Sequence, residues 1–344
     1  MTKETVLAAL LKEKNFISGE AISRKLGVTR AAVSQAVKAL RQEGYVIESV
    51  TNRGYRLLSS PDLLSAGALQ AYLGDKRMQS VLCFDKTDST NLRLREAALS
   101  PNTPGGLIAI ANEQTAGSGR RGRSFISPKD KGIYLSMLLK PSDIGSVNGT
   151  PAAAGCDNPS VYPASAWTSI TSWAAVAMCN AVETVYGIRP KIKWVNDLLL
   201  NEKKICGILT QMDLESETGE IRDVIIGIGI NVQESKEDFP EELQSIASSI
   251  RQETGIFQPR ILLAAEMIRE LDKLYALWPA ASADYLAQYR LDSIVTGREI
   301  RVLSPSGEKK AIAESIGDDF SLQVRYEDNT CDTLRGGEIS IRPA

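Results

Sequence analysis

The chain of 344 residues contains no histidine. That absence excludes Ser-His and Cys-His nucleophile pairs, histidine-ligated metals and imidazole acid–base catalysis together. Cysteine is sparse. Cys83, Cys156, Cys179, Cys206 and Cys331 are odd in number, widely scattered and without a C-x-x-C pair, so neither a disulfide framework nor a zinc site is expected. No apolar run approaches the ~20 residues of a membrane helix. Charges interrupt the N-terminal MTKETVLAALLKEKNF where a signal peptide would be apolar. A cytoplasmic chain with no membrane partner is the expectation.

What remains is ordinary in bulk and unusual in detail. Apolar content of 43% with 24% charge fits a globular protein, and the length fits two or three domains. Chemistry without histidine must run on Lys, Arg, carboxylates, amides and backbone donors. Transfer at a phosphate, governed by positioning and charge neutralisation, suits that set. The net charge of −2 is unevenly spread: residues 1–58 carry ten Lys/Arg against five Glu, leaving −7 for the remainder. A basic head on an acidic body points to a polyanionic partner for the head.

The head reads as three short helices and a hairpin. Val6, Leu7, Leu10 and Leu11 have helical spacing, and Ser18-Gly19-Glu20 opens a second helix that Gly27 ends. Thr29 caps a third from Arg30 to about Glu43, and Gly44 stops it. Tyr45-Val46-Ile47 and Tyr55-Arg56-Leu57, joined through Thr51-Asn52-Arg53-Gly54, read as a β-ribbon. This order is that of a winged helix-turn-helix. The third helix presents Arg30, Ser34, Gln35 and Lys38 outward and the wing presents Arg53, residue types that read base edges and phosphates of DNA. A helical packing module with a solvated face is the bland alternative.

Beyond Ser59-Ser60-Pro61-Asp62 the pattern is α+β. Strands are expected at 81–84, 107–111, 133–139, 191–195, 198–200, 205–212 and 224–232, and helices at 92–99, 166–186, 240–254 and 259–289. From Gly297 onward five short strands separated by Ser-Pro-Ser-Gly, Gly-Asp-Asp and Glu-Asp-Asn turns indicate a small barrel. The segment 141–165, rich in Gly, Pro, Ala, Ser and Asn, exceeds an ordinary loop and reads as a mobile insertion. Domains of 1–60, 61–292 and 293–344 are therefore expected.

The most specific feature is Gly117-Ser118-Gly119-Arg120-Arg121-Gly122-Arg123. Glycines let backbone approach a ligand, and guanidinium forks suit phosphate and carboxylate oxygens. The loop also satisfies G-x-G-x-x-G, but a dinucleotide fingerprint needs a helix at the third glycine, and Arg123-Ser124-Phe125-Ile126-Ser127-Pro128 follows without helical period. A second island, Lys193-Trp194-Val195-Asn196-Asp197, adds another cation and a polar pair. Joining a carboxylate to the α-phosphorus of ATP sets two anions together, and at ~4 Å and an effective dielectric of about 20 they repel by about 4 kcal/mol. Arg120, Arg121, Arg123 and Lys193 can offset that, and the carboxylate is its own nucleophile. Taken singly, Asp88-Ser89-Thr90-Asn91 is an ordinary helix cap, Gln114 a strand-end amide and Asn196-Asp197 a turn.

Taken in order, DSTN, EQTAGSGRRGR, KWVND, KKICGIL, GIGINV and RGGEISIRP make the whole chain resemble the bifunctional biotin–protein ligases that also repress the biotin operon. The resemblance implies a winged helix-turn-helix, a class II synthetase-like core with a mixed, largely antiparallel sheet, and an SH3-like C-terminal barrel. It implies that biotin and Mg2+-ATP give biotinyl-5′-AMP. A lysine of a biotin carboxyl carrier protein, of acetyl-CoA carboxylase or another biotin-dependent carboxylase, then takes the acyl group. The adenylate-bound homodimer occupies operator DNA. By the same likeness Ser89, Thr90, Asn91, Gln114 and Gly207 meet biotin, while Ser118, Gly119 and Arg120 cover it. Lys193 holds the carboxylate–phosphate junction and, with Arg120 and Arg123, carries catalysis. Arg121, Arg123, Asn196, Asp197 and Asn231 face ATP or its metal, whose ligands stay unassigned, and Glu338 and Arg342 contribute from the tail. Three features depart from the pattern: Ser118 where many relatives carry arginine, Phe125 where an aromatic is often Trp, and the 141–165 insertion. Alternatives are a sensing repressor without turnover, a ligase with a silent head, and a lipoate-type ligase.

Overall fold

The computed structural model describes residues 2–78, 80–143, 164–215, 217, 219–304 and 307–341. Three helices open the chain, α1 (Thr2–Lys12), α2 (Gly19–Leu26) and α3 (Arg30–Gln42), followed by an antiparallel ribbon of β1 (Val46–Val50) and β2 (Gly54–Ser59). Local chemistry sets these boundaries. Ser18 and Thr29 accept the backbone N–H of Ala21 and Ala32, and Gly27 closes α2 in the left-handed region at φ 66°. Val6, Leu7, Leu10, Ile22, Val33, Val37 and Leu40 bury one another as a separate core for this head.

The head is not loosely tethered. It meets α4 (Ala66–Leu73), an element too short and too uniformly apolar to stand out by periodicity. Gly67 sits where a Cβ would lie 2.4 Å from the backbone oxygen of Glu4, so α1 and α4 cross with backbone nearly touching. The Glu4 carboxylate accepts the Gly67 N–H at 2.6 Å. The connecting segment is held as well: Asp62 accepts from the backbone and guanidinium of the fully buried Arg260, and the Leu64 N–H donates to Asn112.

The body is built on seven strands: β3 (Val81–Phe84), β4 (Ile108–Ala111), β5 (Ile133–Leu139), β6 (Lys191–Lys193), β7 (Asp197–Leu200), β8 (Lys203–Leu214) and β9 (Ile221–Ile230). Their spatial order is β3-β4-β5-β9-β8-β7-β6, with β3 and β4 parallel and the other pairs antiparallel. Its helices are α5 (Asp75–Met78), α6 (Thr90–Ala98), α7 (Ala164–Thr168), α8 (Ile170–Tyr186), α9 (Glu241–Gln244), α10 (Ile250–Thr254), α11 (Arg260–Leu277) and α12 (Ser282–Asp292).

Strand alternation gives the sheet two different faces. Ile108, Ile110, Leu135, Met137, Ile208, Ile226 and Ile228 point to one side and share a continuous apolar cluster with α8 and α11. Leu94 and Ala98 of α6 cover Ala109, Leu138 and Ile225 on the other. The positions between, Ser136 on β5, Gly207 and Gln211 on β8, and Gly227 and Gly229 on β9, fall on the α6 side by the same two-residue period.

Several expected elements are corrected. The helix expected at 259–289 is two, because Pro279 supplies no N–H and holds Trp278 extended at φ −72°, ψ 137°, ending α11 at Leu277. The helix expected at 166–186 is divided between α7 and α8, with Ser169 between them, and that at 240–254 between α9 and α10. Within 141–165, Pro141–Asp143 forms a 3-10 turn and α7 starts at Ala164; residues 144–163 lie outside the described residues.

The C-terminal strands β10 (Glu299–Ser304), β11 (Gly307–Ile316), β12 (Leu322–Tyr326), β13 (Cys331–Leu334) and β14 (Glu338–Ser340) form an antiparallel sheet in the order β13-β12-β11-β10-β14. It continues the main apolar cluster through Ile300, Ala313, Leu322 and Ile339, and Trp194 donates its indole N–H to the Phe320 carbonyl at 3.0 Å.

Candidate active site

On the α6 face of the sheet lies a cavity of about 370 Å3. Its floor follows from register. Tyr134, Gly229 and Gly207 stand side by side across β5, β9 and β8, and so do Ser136, Gly227 and Leu209 two residues along. Glycine is required at both central positions. A Cβ on Gly227 would sit 2.2 Å from Asn91 Oδ1, and one on Gly229 would sit 2.4 Å from the Phe125 ring. One glycine makes room for an amide and the other for an aromatic face.

At the Ser136–Gly227 row a polar chain runs beneath the cavity wall. Thr90 offers its backbone N–H to Gln114 Oε1 at 2.8 Å, and its hydroxyl lies 2.7 Å from Ser136 Oγ. Ser136 donates to Asn91 Oδ1 at 2.6 Å, and Asn91 Nδ2 donates to Gln211 Oε1 at 2.8 Å. Gln114 Nε2 in turn donates to Ser127 Oγ at 3.2 Å. Ser89 precedes α6 but its side chain makes no cap hydrogen bond, so the expected cap role is not the one found. Asp88 shapes that turn instead. The Ser89 N–H holds its carboxylate below the usual range, with help from Arg93.

At the far end the cavity is cationic. The Gly-Arg loop folds back on itself, with Gly119 N–H donating to Arg123 O and Phe125 N–H to Gly117 O, and Arg121 takes the left-handed φ of 56°. No helix starts at Gly122, since Arg123 is extended, in keeping with rejection of the dinucleotide fingerprint. Arg120 donates to Asn196 Oδ1 at 2.8 Å and to the Gly337 carbonyl at 2.5 Å. Burial pulls its guanidinium below the ordinary value, opposed by the Asp197 and Glu338 charges. Arg123 forks onto Glu338 at 2.5 and 3.0 Å, and Arg121 approaches the same carboxylate at 3.6 Å. Lys193 ends β6 at the cavity wall.

Every residue expected to meet biotin or ATP thus lines this one cavity: Ser89, Thr90, Asn91, Gln114, Ser118, Gly119, Arg120, Arg121, Arg123, Lys193, Asn196, Asp197, Gly207 and Asn231. Some have partners of their own. Asp197 pairs with Lys204 at 2.7 Å, and Asn231 Nδ2 donates to the Ser248 carbonyl at 3.0 Å. Sequence reading missed Lys204, which lines the cavity, and Ser136 and Gln211, which sit behind it. The legible signal was the G-x-G of β9, which marks where something crosses the strand closely. Glu338 is at the wall, and Arg342 lies outside the described residues. The residues expected to read DNA stand apart on the head. Arg30, Ser34, Gln35 and Lys38 are exposed along α3, and Arg53 on the ribbon lies 4.4 Å from the ring centre of Phe16. Among the described residues no helix is long and apolar enough to cross a membrane, and no group of three His, Cys, Asp or Glu could hold a metal.

A winged head on an antiparallel-rich sheet with a cationic, glycine-floored cavity defines a class of acyl-activating ligase. Residues 83–231 match the biotin/lipoate A/B protein ligase family, and residues 2–56 match a helix-turn-helix domain. The bifunctional ligase/repressor BirA of Escherichia coli is 31% identical over 340 residues, 98% of this chain and 97% of that one. Its namesake from Bacillus subtilis is 39% identical over 241 residues, 70% of this chain and 67% of that one. The biotin protein ligase from Aquifex aeolicus, solved with biotin and ATP, superposes with a TM-score of 0.60 at 22% identity, covering 77% of this chain and all of that one, a likeness of fold. The chain belongs to the family of bifunctional biotin ligase/repressors.

Proposed function

We propose that this protein attaches biotin to a lysine of biotin carboxyl carrier protein, and of other biotin-dependent carboxylases, and represses transcription when loaded with biotinyl-5′-AMP. The observation that carries the ligase reading is the single cavity. It joins an amide and hydroxyl cluster at Thr90, Asn91 and Gln114 to a cationic end at Arg120, Arg121, Arg123 and Lys193. Between Gly227 and Asn231 the floor runs about 14 Å at about 3.4 Å per residue, room for a polar ring, a short acyl chain and a phosphate in line.

In the first step a carboxylate oxygen of biotin attacks the α-phosphorus of ATP. A C–O–P linkage forms, the bond to the β-phosphate oxygen breaks, and pyrophosphate leaves. Lys193, Arg120 and Arg123 act as catalytic residues by neutralising the converging anions. Arg121, Asn196, Asp197 and Asn231 orient the nucleotide. Mg2+ would enter with ATP, held chiefly by the nucleotide phosphates, with Asp197 as a candidate carboxylate at the cavity wall. Asp197 is already paired with Lys204, and Mg2+ commonly takes one or two carboxylates plus substrate phosphates. In the second step the carrier lysine amine attacks the acyl carbon, a C–N bond forms, and AMP leaves.

The head reads operator DNA through Arg30, Ser34, Gln35 and Lys38 in a major groove, with Arg53 on the backbone. A homodimer formed on adenylate binding presents two such heads to a palindromic site. The organisation is head 1–60, ligase core 61–292 and an SH3-like tail 293–344, in the cytoplasm. Incubation with biotin, ATP and the carrier domain should add one biotinyl group by mass spectrometry. Lys193→Ala should abolish the transfer while leaving the fold intact. Full transfer by that variant removes Lys193 from the mechanism, and no transfer by the parent refutes the ligase reading.

A further inference from the structure

Ser136 is fully buried in β5 and belongs to no expected set of ligand contacts. It lies at a junction where each participant has a limited number of protons. A serine hydroxyl donates one hydrogen bond, while an amide oxygen donates none. At 2.6 Å from Asn91 Oδ1, the Ser136 proton is committed to that oxygen. Ser136 can then only accept from Thr90, whose hydroxyl is 2.7 Å away. The single Thr90 proton is therefore spent inside the protein, shared between Ser136 Oγ at 2.7 Å and Gln114 Oε1 at 3.1 Å. Gln114 Oε1, which also accepts the Thr90 backbone N–H, is an amide oxygen and has no proton to supply in exchange.

We infer that Ser136 is a positioning residue that fixes the polarity of the cavity wall. Thr90 lines the cavity, and with its proton withdrawn its hydroxyl can offer a ligand there an acceptor only. It selects a ring that brings an N–H donor, such as the cyclic urea of biotin, and opposes a ring that brings an oxygen lone pair or a divalent sulfur. Buried hydroxyl networks discriminate strongly because a mismatch leaves a polar atom unpaired. The inference rests on the biotin reading and deepens it, since Ser136 then separates a ureido acid from a dithiolane acid of similar length.

The test uses full-length protein and three acids: biotin and the two isomeric cyclic carbamates in which one ureido N–H is replaced by oxygen. ATP–pyrophosphate exchange gives KM and kcat for each. The parent should prefer biotin over one of the two isomers by tenfold or more. Ser136→Ala removes the nearer acceptor of the Thr90 proton and leaves it only the longer contact to Gln114 Oε1 at 3.1 Å, so that preference should shrink by up to about tenfold, the worth of one neutral hydrogen bond. The KM for ATP and the biotin kcat should hold within about twofold of the parent, readouts that a general loss of structure would move. Ser136→Thr keeps a hydroxyl and should keep the preference. An unchanged preference in Ser136→Ala overturns the role of Ser136. Should that variant not fold, equal handling of all three acids by the parent overturns it as well. A parent showing no biotin-dependent exchange refutes the ligase reading itself, a separate failure.

Discussion

Adding one methyl group at Gly227 tests the reasoning about the cavity floor most directly. The methyl carbon would lie 2.2 Å from Asn91 Oδ1 and 2.9 Å from Asn91 Nδ2, against a side chain that is itself buried. Asn91 must leave. Its departure removes the acceptor of the Ser136 proton and the donor to the half-buried Gln211 carbonyl oxygen, both partners of that amide. Each unsatisfied buried group costs about 1–3 kcal/mol. Replacing a strand glycine by alanine returns about 0.5–1 kcal/mol of backbone entropy. A net loss of about 1–5 kcal/mol is therefore expected, measured by chemical denaturation, together with a higher KM for biotin. The decisive measurement is the double-mutant cycle. In Asn91→Ala the obstruction is already gone, so Gly227→Ala should then cost less than about 1 kcal/mol, giving a coupling above the ~0.5 kcal/mol scatter of independent sites. Strict additivity would show that Gly227 and Asn91 do not share that space.

Glu338→Ala should free Arg121 and Arg123 from their shared carboxylate, and trypsin should then cut the 117–123 loop several-fold faster in ligand-free protein; an unchanged cleavage rate would show that β14 does not restrain the loop. Glu234 is buried and its carboxyl is pushed up to about 7, mainly by burial. A carboxyl raised in the folded state costs stability as pH climbs, so about 3 kcal/mol at 1.36 kcal/mol per unit should be lost between pH 4.5 and 7 and stay lost above it. Glu234→Gln should remove that slope in denaturation curves between pH 5 and 8, and a persisting slope refutes the assignment. Arg53→Ala should weaken DNA binding nearly uniformly across sequences and reduce the salt slope by about 1; loss of sequence preference without a change in slope would mean that Arg53 reads a base.

The head was legible because its signals are local. Ser18, Thr29 and Gly27 act on backbone within a few residues of themselves, and they do so where expected. The cavity residues were legible as types, because three arginines among three glycines have few structural uses. What lay beyond reach was tertiary coincidence. Nothing near Asn91 in the chain announces Gly227, and nothing near Ser136 announces either. Strand register alone brings 136 beside 227. The continuous helix expected across Trp278-Pro279 was a different kind of miss, since proline's constraint is local and apolar periodicity on both sides masked it. Uniformly apolar α4 offered no periodicity at all.

Glu4 and Gly67 weld the DNA-reading helices to the body with no slack between them, and Asp62 is bolted to Arg260 below. A swing of the DNA-reading helices against the body would break these contacts. In the homodimer proposed above, the spacing of the two bodies would then set the spacing of the two heads, and with it the length between operator half-sites.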